Sequence, residues 1–199
     1  FFETTDAKLF PPLKQEGGIP ISFGGSSEIA KNIAAEHANV FLQWGEPVAQ
    51  VKAQIEDVKA RAEKFGRTLE YGVRLHIVVR ETEEEAWKAA YNIISKIDKN
   101  VQQSIQSIKE GSDSIAQQRM TEIVANTDRF DKYSWTGIGQ VRKGAGTAIV
   151  GTPDQVKEAL EDYYIDAGVT HFILSGFPHA EEATRFGELV LPKFNKVHA

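Results

Sequence analysis

The sequence predicts an α/β protein made of repeated strand–helix units around a parallel sheet. Short apolar stretches alternate with longer segments of helical periodicity along most of the chain. One of these stretches, NVFLQWG at 39–45, is almost continuously apolar, which is typical of a strand covered on both faces. With 199 residues, 41% of them hydrophobic, the chain can bury one sizeable core. Four strand–helix units fit either a doubly wound open sheet or half of a (β/α)8 barrel.

The first two units follow an irregular lead-in. Residues 19–23 (IPISF) predict a short strand that ends at a Gly-Gly pair, and a helix is expected from the serine pair to about Ala38. The strand at 39–45 leads into a helix that starts near Pro47, because proline suits a first helical turn, and runs up to Gly66. The order is therefore strand, helix, strand, helix.

The stretch YGVRLHIVVR at 71–80 predicts the third strand, because its apolar residues alternate. The alternation places Arg74 and His76 together on the opposite face. In a sheet covered by helices such groups need a partner or a site, since an unpaired buried charge costs several kcal/mol. A solvated face on an edge strand is the other interpretation, and the spacing alone leaves both open.

The rest of the chain predicts a long interruption and one more unit. A helix over 82–97 is expected to start at Thr82, which has capping-box spacing to Glu85. Residues 98–146 are too many and too polar for a plain connection, so an insertion or lid is expected there. The remaining predicted elements are a helix over about 153–166, a strand at 170–176 and a helix over 181–190.

Composition excludes several classes of function. A formal charge of −5 and a pI near 5.6 argue against binding to a nucleic-acid backbone, which requires clustered lysine and arginine. The chain has no cysteine, so disulfides, thiol catalysis and cysteine-ligated metals are excluded within it, and a cytoplasmic location is expected. The sequence begins with Phe1 rather than methionine, which suggests that translation starts upstream.

The stretch FGGSSE at 23–28 is a candidate anion site. Gly25 would let the backbone approach a ligand closely, and Ser26 and Ser27 lie where a helix begins, so hydroxyls and free N–H groups converge there. A phosphate would fit. An ordinary strand-to-helix turn, with one of the serines as N-cap, explains the same residues.

Other motifs are weaker. Trp44 and Phe177 follow buried strands, where an aromatic is either core or one wall of a pocket for a flat ligand. Arg142 lies in a glycine-flanked segment that could close on an anionic substrate or simply be solvated. His179-Ala180-Glu181 has the H-x-E spacing of zinc deaminases, but the cysteine pair that they require is missing, so no metal site is predicted.

Several of these motifs occur together in an order that resembles a known family. The sequence contains, in this order, FGGSSE, WGEP, GVRLHIVVRETEEEAW, QQRM, VRKGAGTAIVG and SGFPHAEEA. The series resembles the C-terminal half of the alkanesulfonate monooxygenases, which are members of the bacterial luciferase-like, FMN-dependent monooxygenases. The resemblance extends over almost the whole chain, and the series is more specific than any single motif in it.

The resemblance implies a (β/α)8 TIM barrel of the luciferase-like type, of which this chain supplies the last four strand–helix units. Residues 1–199 would form the C-terminal half of one barrel domain, with a lid at 98–146 and the N-terminal half upstream. The implied activity is two-component: a separate NAD(P)H-dependent FMN reductase supplies reduced FMN, and with O₂ an alkanesulfonate is converted to an aldehyde and sulfite for sulfur acquisition. A cytoplasmic homo-oligomer is expected.

The resemblance also implies roles for individual residues. Ser26 and Ser27, with Gly25, correspond to the turn that holds the FMN phosphate. Arg74 and His76 correspond to active-site residues beside the flavin and the sulfonate, where a guanidinium suits an anionic oxygen and an imidazole can move a proton.

The remaining implied positions surround the same pocket. Trp44 and His179 correspond to residues that line it, and Arg142 to the arginine at the end of the mobile loop. Phe177 is a departure, because the related SGYPH stretch has a tyrosine there. The loss of a phenol hydroxyl leaves open a different small substrate for a luciferase-like oxygenase. A non-catalytic half-barrel that only binds flavin or phosphate is the alternative from another class.

Overall fold

Six strands and a set of helices make up the described part of the chain, which comprises residues 3–6, 10, 14–98, 100, 103–104, 107, 113–141 and 146–194 of the computed structural model. The strands are β1 (Ser22–Gly24), β2 (Val40–Trp44), β3 (Glu70–Val79), β4 (Ser134–Trp135), β5 (Ala148–Gly151) and β6 (His171–Ser175). The helices are α1 (Glu28–His37), α2 (Val48–Glu63), α3 (Glu83–Ile94), α4 (Ile115–Asn126), α5 (Gly137–Val141), α6 (Pro153–Ala167), α7 (His179–Leu189) and α8 (Leu191–Phe194).

Strands β1, β2, β3 and β6 lie side by side in that order, and all are parallel. β3 has three strand neighbours: β6 lies along one edge, and on the other edge β2 pairs with the first part of β3 and β5 with its last part. The Gly45 N–H donates to the Arg74 carbonyl and the His76 N–H donates to the Thr147 carbonyl, each at 2.9 Å, so β5 continues the edge that β2 leaves. Among the described residues, the outer edges of β1 and β6 have no strand neighbour.

Helices α1, α2, α6 and α7 cover one face of the sheet, called here the outer face. The alternate residues of β3 that begin at Tyr71 point to this face and pack against Val51 of α2, Tyr163 of α6 and Phe186 of α7. At the other end of the sheet, Phe41 of β2 packs on α1 and α2. This layer contains most of the buried apolar surface and therefore most of the hydrophobic stabilisation.

The opposite face, called here the inner face, is covered at the carboxyl end of β3 by α3, β4 and α5. Val78 packs there against Trp87, Trp135 and Ile138. These three residues all belong to the part of the chain between β3 and β5. Arg74 and His76 lie on this face as well, because they alternate with the residues that point outward.

Most predicted elements are confirmed, with local differences. The α/β class and the parallel strand order are as expected. The first strand is Ser22–Gly24 rather than 19–23, and Ile19 and Ile21 are more than half exposed. Strands β4 and β5 were not predicted, and β4 makes the sheet mixed because it pairs antiparallel with β5.

The predicted helix starts are largely correct. The Thr82 hydroxyl accepts from the Glu85 N–H, so Thr82 is the N-cap of α3, although the Glu85 carboxylate bonds the Thr82 hydroxyl rather than its backbone. Thr152 and Gln155 form a complete capping box at the start of α6. None of the described helices is long and apolar enough to cross a membrane.

Candidate active site

Arg74 lies in the middle of β3 on the inner face, between two neighbouring strands. Trp44 of β2 is directly opposite it on one side and Ile173 of β6 on the other. Adjacent strands are about 4.8 Å apart, so the three side chains form one continuous surface. Arg74 and Trp44 are half-buried and Ile173 is 44% exposed. An apolar surface that carries a guanidinium suits a ligand with an anionic group and an apolar body.

His76 is the next inner-face residue of β3, and it is almost fully buried at 4% exposure. Its Nδ1 lies 3.0 Å from the hydroxyl oxygen of Ser175, which is its register partner on β6. A small cavity beside the ring is lined by Trp135, Ile138 and Phe177, among others. The ring therefore borders both the sheet surface and the segment that covers it.

Phe177 and His179 follow β6 at its carboxyl end. Their rings are arranged edge to face with centroids 6.1 Å apart, and Phe177 is 59% exposed. The turn that carries them is held by Glu182, a residue at only 4% exposure that accepts hydrogen bonds from Arg80 and Arg185. Arg80 directly follows β3, so this ion cluster fixes the turn against the end of that strand.

The turn after β1 starts helix α1 and allows its close approach to the strand. The Ser27 hydroxyl accepts from the Ala30 N–H at 3.2 Å and is the N-cap of α1. A Cβ on Gly25 would lie 2.6 Å from the Ala30 Cβ, so glycine is needed here for the close approach of the helix. Ser26 is partly exposed beside the amino terminus of α1, where free N–H groups and the helix dipole attract anions.

A buried carboxylate at the end of β2 was not predicted. Glu46 is 1% exposed and accepts from Arg119 of α4 through Nε at 3.1 Å and Nη2 at 2.5 Å. Gln54 of α2 donates to the same carboxylate at 3.2 Å. Both Glu46 and Arg119 belong to motifs of the family resemblance, WGEP and QQRM, but nothing in the spacing indicates that the two meet.

The backbone around Glu46 is held as firmly as its side chain. The Tyr163 hydroxyl donates to the Glu46 carbonyl at 2.6 Å, and the Thr147 hydroxyl donates to the Gly45 carbonyl at 2.8 Å. Burial, followed by nearby carboxylates, raises the pKa of Tyr163 above its ordinary value, so the hydroxyl stays protonated and remains a donor. These bonds fix the chain that follows Trp44.

At Gly146 the chain passes close to the backbone of Gly45 and Arg74. A Cβ there would lie 3.1 Å from the Gly45 nitrogen and 3.3 Å from the Arg74 carbonyl oxygen, so only a glycine approaches this closely without displacing its neighbours. Arg142, which the sequence predicts at the end of a lid, lies outside the described residues.

The structure thus brings together some predicted site residues and leaves others apart. Trp44 and Arg74 are neighbours, and Phe177 lies at the same cavity as His76. The serine turn is at the same end of the sheet but on β1, two strand spacings, or about 10 Å, from β3. Within the described part of the chain, no group of three or more His, Asp or Glu residues is arranged to hold a metal ion.

Comparison with known proteins decides the family. The sequence pattern of the luciferase-like monooxygenases matches residues 1–171, which is most of the chain. The chain belongs to the luciferase-like monooxygenase family. Its parallel strands and their covering helices are accordingly part of the TIM-barrel-type fold of that family.

Solved structures agree with this fold. DmoA from Hyphomicrobium sulfonivorans is 18% identical with a TM-score of 0.68, and 88% of this luciferase-like chain covers 41% of it. A riboflavin lyase, RcaE, solved with modified FMN and riboflavin, is 19% identical with a TM-score of 0.67, with coverage of 88% and 42%. The long-chain alkane monooxygenase LadA is 21% identical with a TM-score of 0.66, with coverage of 88% and 40%.

The chain therefore spans about two fifths of the length of these three structures. The luciferase-like chain is a partial barrel, and β1–β2–β3–β6 is its run of barrel strands. The open edges of β1 and β6 are the expected property of such a part, because only a closed barrel has no strand edges.

Proposed function

We propose that this chain contributes the carboxyl-terminal strands to the active site of an FMNH₂-dependent, two-component monooxygenase that converts alkanesulfonates to aldehydes and sulfite. The observation that carries the proposal is the position of Arg74, which lies on the inner face of β3 between the indole of Trp44 and the apolar side chain of Ile173. A sulfonate is a permanent anion attached to an apolar chain, and this surface offers a permanent cation beside apolar groups.

The flavin fits the same end of the sheet. Its phosphate would be held by Gly25, Ser26 and Ser27, where the Ser27 hydroxyl already accepts a hydrogen bond and can still donate one. Trp44 and Arg74 would line the part of the site that receives the isoalloxazine ring. When bound, reduced FMN supplies the electrons and the activation of O₂, and the protein binds, orients and excludes water.

The chain's own residues have distinct tasks in this proposal. Arg74 holds the sulfonate by charge-assisted hydrogen bonds. His76 holds or moves a proton, because an imidazole can both donate and accept one and this ring is buried beside the cavity. His179 and Phe177 form the wall at the end of β6, and Arg142 is expected to approach the anion from the insertion.

Three further expectations belong to the proposal. As the family resemblance implies, an NAD(P)H-dependent FMN reductase supplies the reduced flavin. O₂ is the second co-substrate. The enzyme is expected to act in the cytoplasm as a homo-oligomer.

A second candidate is a luciferase-like monooxygenase with another small substrate. Phe177 supports it, because this exposed ring stands where alkanesulfonate enzymes have a tyrosine, and a phenyl ring cannot donate a hydrogen bond to an anion. Under this alternative, Arg74 would bind a different anionic or carbonyl oxygen.

The deciding experiment uses the full-length protein with FMN, NAD(P)H and a flavin reductase. We expect sulfite release from at least one member of a series from methanesulfonate to decanesulfonate. Arg74→Ala should abolish release while FMNH₂ affinity stays within a few-fold, and Arg74→Lys should restore only part of it, because lysine lacks the planar fork. Arg61→Ala, on the outer face, is the control and should leave release unchanged.

The outcomes separate the candidates. No sulfite from any sulfonate, together with FMNH₂ binding, favours the second candidate. Full turnover by Arg74→Ala would remove the residue on which the proposal depends. If the full-length protein binds FMN but oxidises nothing with O₂ present, the non-catalytic alternative applies.

A further inference from the structure

Ser175 is the residue through which β6 contacts the candidate proton-transfer group. It is paired in register with His76, and its hydroxyl oxygen lies 3.0 Å from Nδ1. Alternation along THFILSG could place Ser175 on the same face as Ile173, but the pairing with His76 depends on the register of two strands 99 residues apart.

The surroundings restrict the imidazole. It is 4% exposed, and apolar side chains of β4, α5 and the turn after β6 line the cavity at its side. In such a setting a hydrogen bond is electrostatically stronger than in water, so the group that bonds Nδ1 determines how the ring is protonated and oriented.

The direction of the hydrogen bond follows from what the hydroxyl can reach. Within the described residues, the Ser175 hydroxyl has no side-chain or backbone partner other than the Nδ1 of His76. Nδ1 is therefore the acceptor that the described residues offer to its hydrogen, and a neutral imidazole that accepts at Nδ1 carries its proton on Nε2.

A second hydroxyl–histidine contact in the chain differs in how the hydroxyl hydrogen is used. At the other end of β6, the Thr170 hydroxyl lies 3.0 Å from Nδ1 of His171, but it also donates to the Tyr71 carbonyl at 3.3 Å. That hydroxyl hydrogen is already used, so its oxygen is left to accept from the ring. The pair is exposed and far from the cavity, which makes it a matched control.

We propose that Ser175 is a positioning residue that donates to Nδ1 of His76 and thereby holds the neutral ring in the Nε2–H form, as a donor to an anionic oxygen of the bound substrate. The proposed tautomer is argued from the contact between Ser175 and His76 and does not require the proposed function, on which only the catalytic consequence rests. No bond is made or broken by Ser175 itself.

The test reads the tautomer directly. The full-length protein is labelled with ¹⁵N-histidine, the His76 signals are assigned by loss in His76→Gln, and long-range ¹H–¹⁵N correlation distinguishes protonated from bare ring nitrogens above pH 8. In the wild type we expect a bare Nδ1 and a protonated Nε2. In Ser175→Ala we expect a mixture of tautomers, and Ser175→Thr, which keeps the hydroxyl, should restore the single form.

Turnover provides the second readout. Ser175→Ala should lower kcat about fivefold with little change in KM, the factor expected from one neutral hydrogen bond, and Ser175→Thr should recover most of it. Thr170→Ala should leave the His76 signals and kcat unchanged.

Two results would overturn the proposal. One is a protonated Nδ1 on His76 in the wild type. The other is an Nε2–H tautomer that persists unchanged in Ser175→Ala. Neither depends on substrate, so a failure of sulfite release, which would count against the proposed function, is distinguishable from a failure here.

Discussion

Glu46 and Arg119 form a partly buried ion pair that joins the end of β2 to helix α4, 73 residues further along the chain. The carboxylate is 1% exposed, whereas the arginine side chain is 31% exposed. Glu46 lies two residues after Trp44, so the pair fixes α4 to the strand that carries one wall of the candidate site.

Arg119→Ala should destabilise the protein by about 2–3 kcal/mol. The substitution leaves the buried Glu46 carboxylate with Gln54 as its described side-chain donor, and water that enters in place of the arginine compensates only in part. The free energy of unfolding in urea measures the effect. Lys132→Ala, which breaks the exposed pair with Glu158, is the control and should leave the free energy of unfolding nearly unchanged. Equal losses in the two variants would show that burial of Glu46 does not matter.

Gly45→Ala and Gly187→Ala should have effects of opposite sign. A Cβ on Gly45 would lie 2.1 Å from Leu75 Cδ2 inside the core, so overpacking should cost about 1–3 kcal/mol. A Cβ on Gly187 of α7 meets nothing within 4 Å, and alanine should stabilise that helix by about 0.5–1 kcal/mol. Thermal or urea unfolding of both variants checks the signs, and a stabilising Gly45→Ala would contradict the packing described here.

The two serines of the turn after β1 should separate stability from flavin binding. Ser27→Ala should lower the free energy of unfolding by about 1 kcal/mol through loss of the α1 cap, while Ser26→Ala should leave it nearly unchanged. If both hydroxyls bond the phosphate, the double variant should weaken flavin affinity by about 1–3 kcal/mol, measured by fluorescence titration of the full-length protein. Unchanged affinity would leave Ser27 with the capping role alone.

Asp57 should make stability depend on pH in the acid range. Its carboxylate accepts from Arg61 at 2.7 Å and from Lys31 at 2.8 Å, and these hydrogen bonds, that of Arg61 first, hold its pKa below the ordinary value of 3.8. The stabilisation is therefore complete above that value and is lost as the pH falls through the lowered folded-state pKa.

Asp57→Asn should accordingly reduce the free energy of unfolding at pH 7, and the difference from the wild type should shrink below about pH 4. Urea unfolding at pH 7 and at about pH 3 is the measurement. A difference that stays constant over this range would mean that the Asp57 charge is not what stabilises the contact between α1 and α2.

The sequence predicted the parts of the fold that depend on local patterns. Thr82 caps α3 as its spacing to Glu85 indicated, and Ser27 is the one of the two serines that caps α1. The alternation in 71–80 correctly placed Arg74 and His76 on one face, opposite the core-facing residues.

Contacts that depend on strand register or on distant helices were not predictable. Ile149 and Val150 lie in a four-residue strand whose pairing partner is the far end of β3, and no local periodicity marks so short an element. The same holds for Ser175 beside His76 and for Arg119 beside Glu46, because each pair is formed only when the sheet and the covering helices are in place.

Helices α3, α4 and α5 all come from one uninterrupted stretch of the chain, while the helices of the outer face come from the stretches on either side of it. The outer-face helices and the elements over the inner face therefore come from separate parts of the sequence. If the stretch between β3 and β5 were replaced by that of another luciferase-like protein, the residues that border His76 would change and the outer-face packing would stay intact. The replacement would have to keep an arginine at the position of Arg119, or Glu46 would have to be replaced together with it. In evolutionary terms, the residues that border His76 can change without a change in the packing of the outer face.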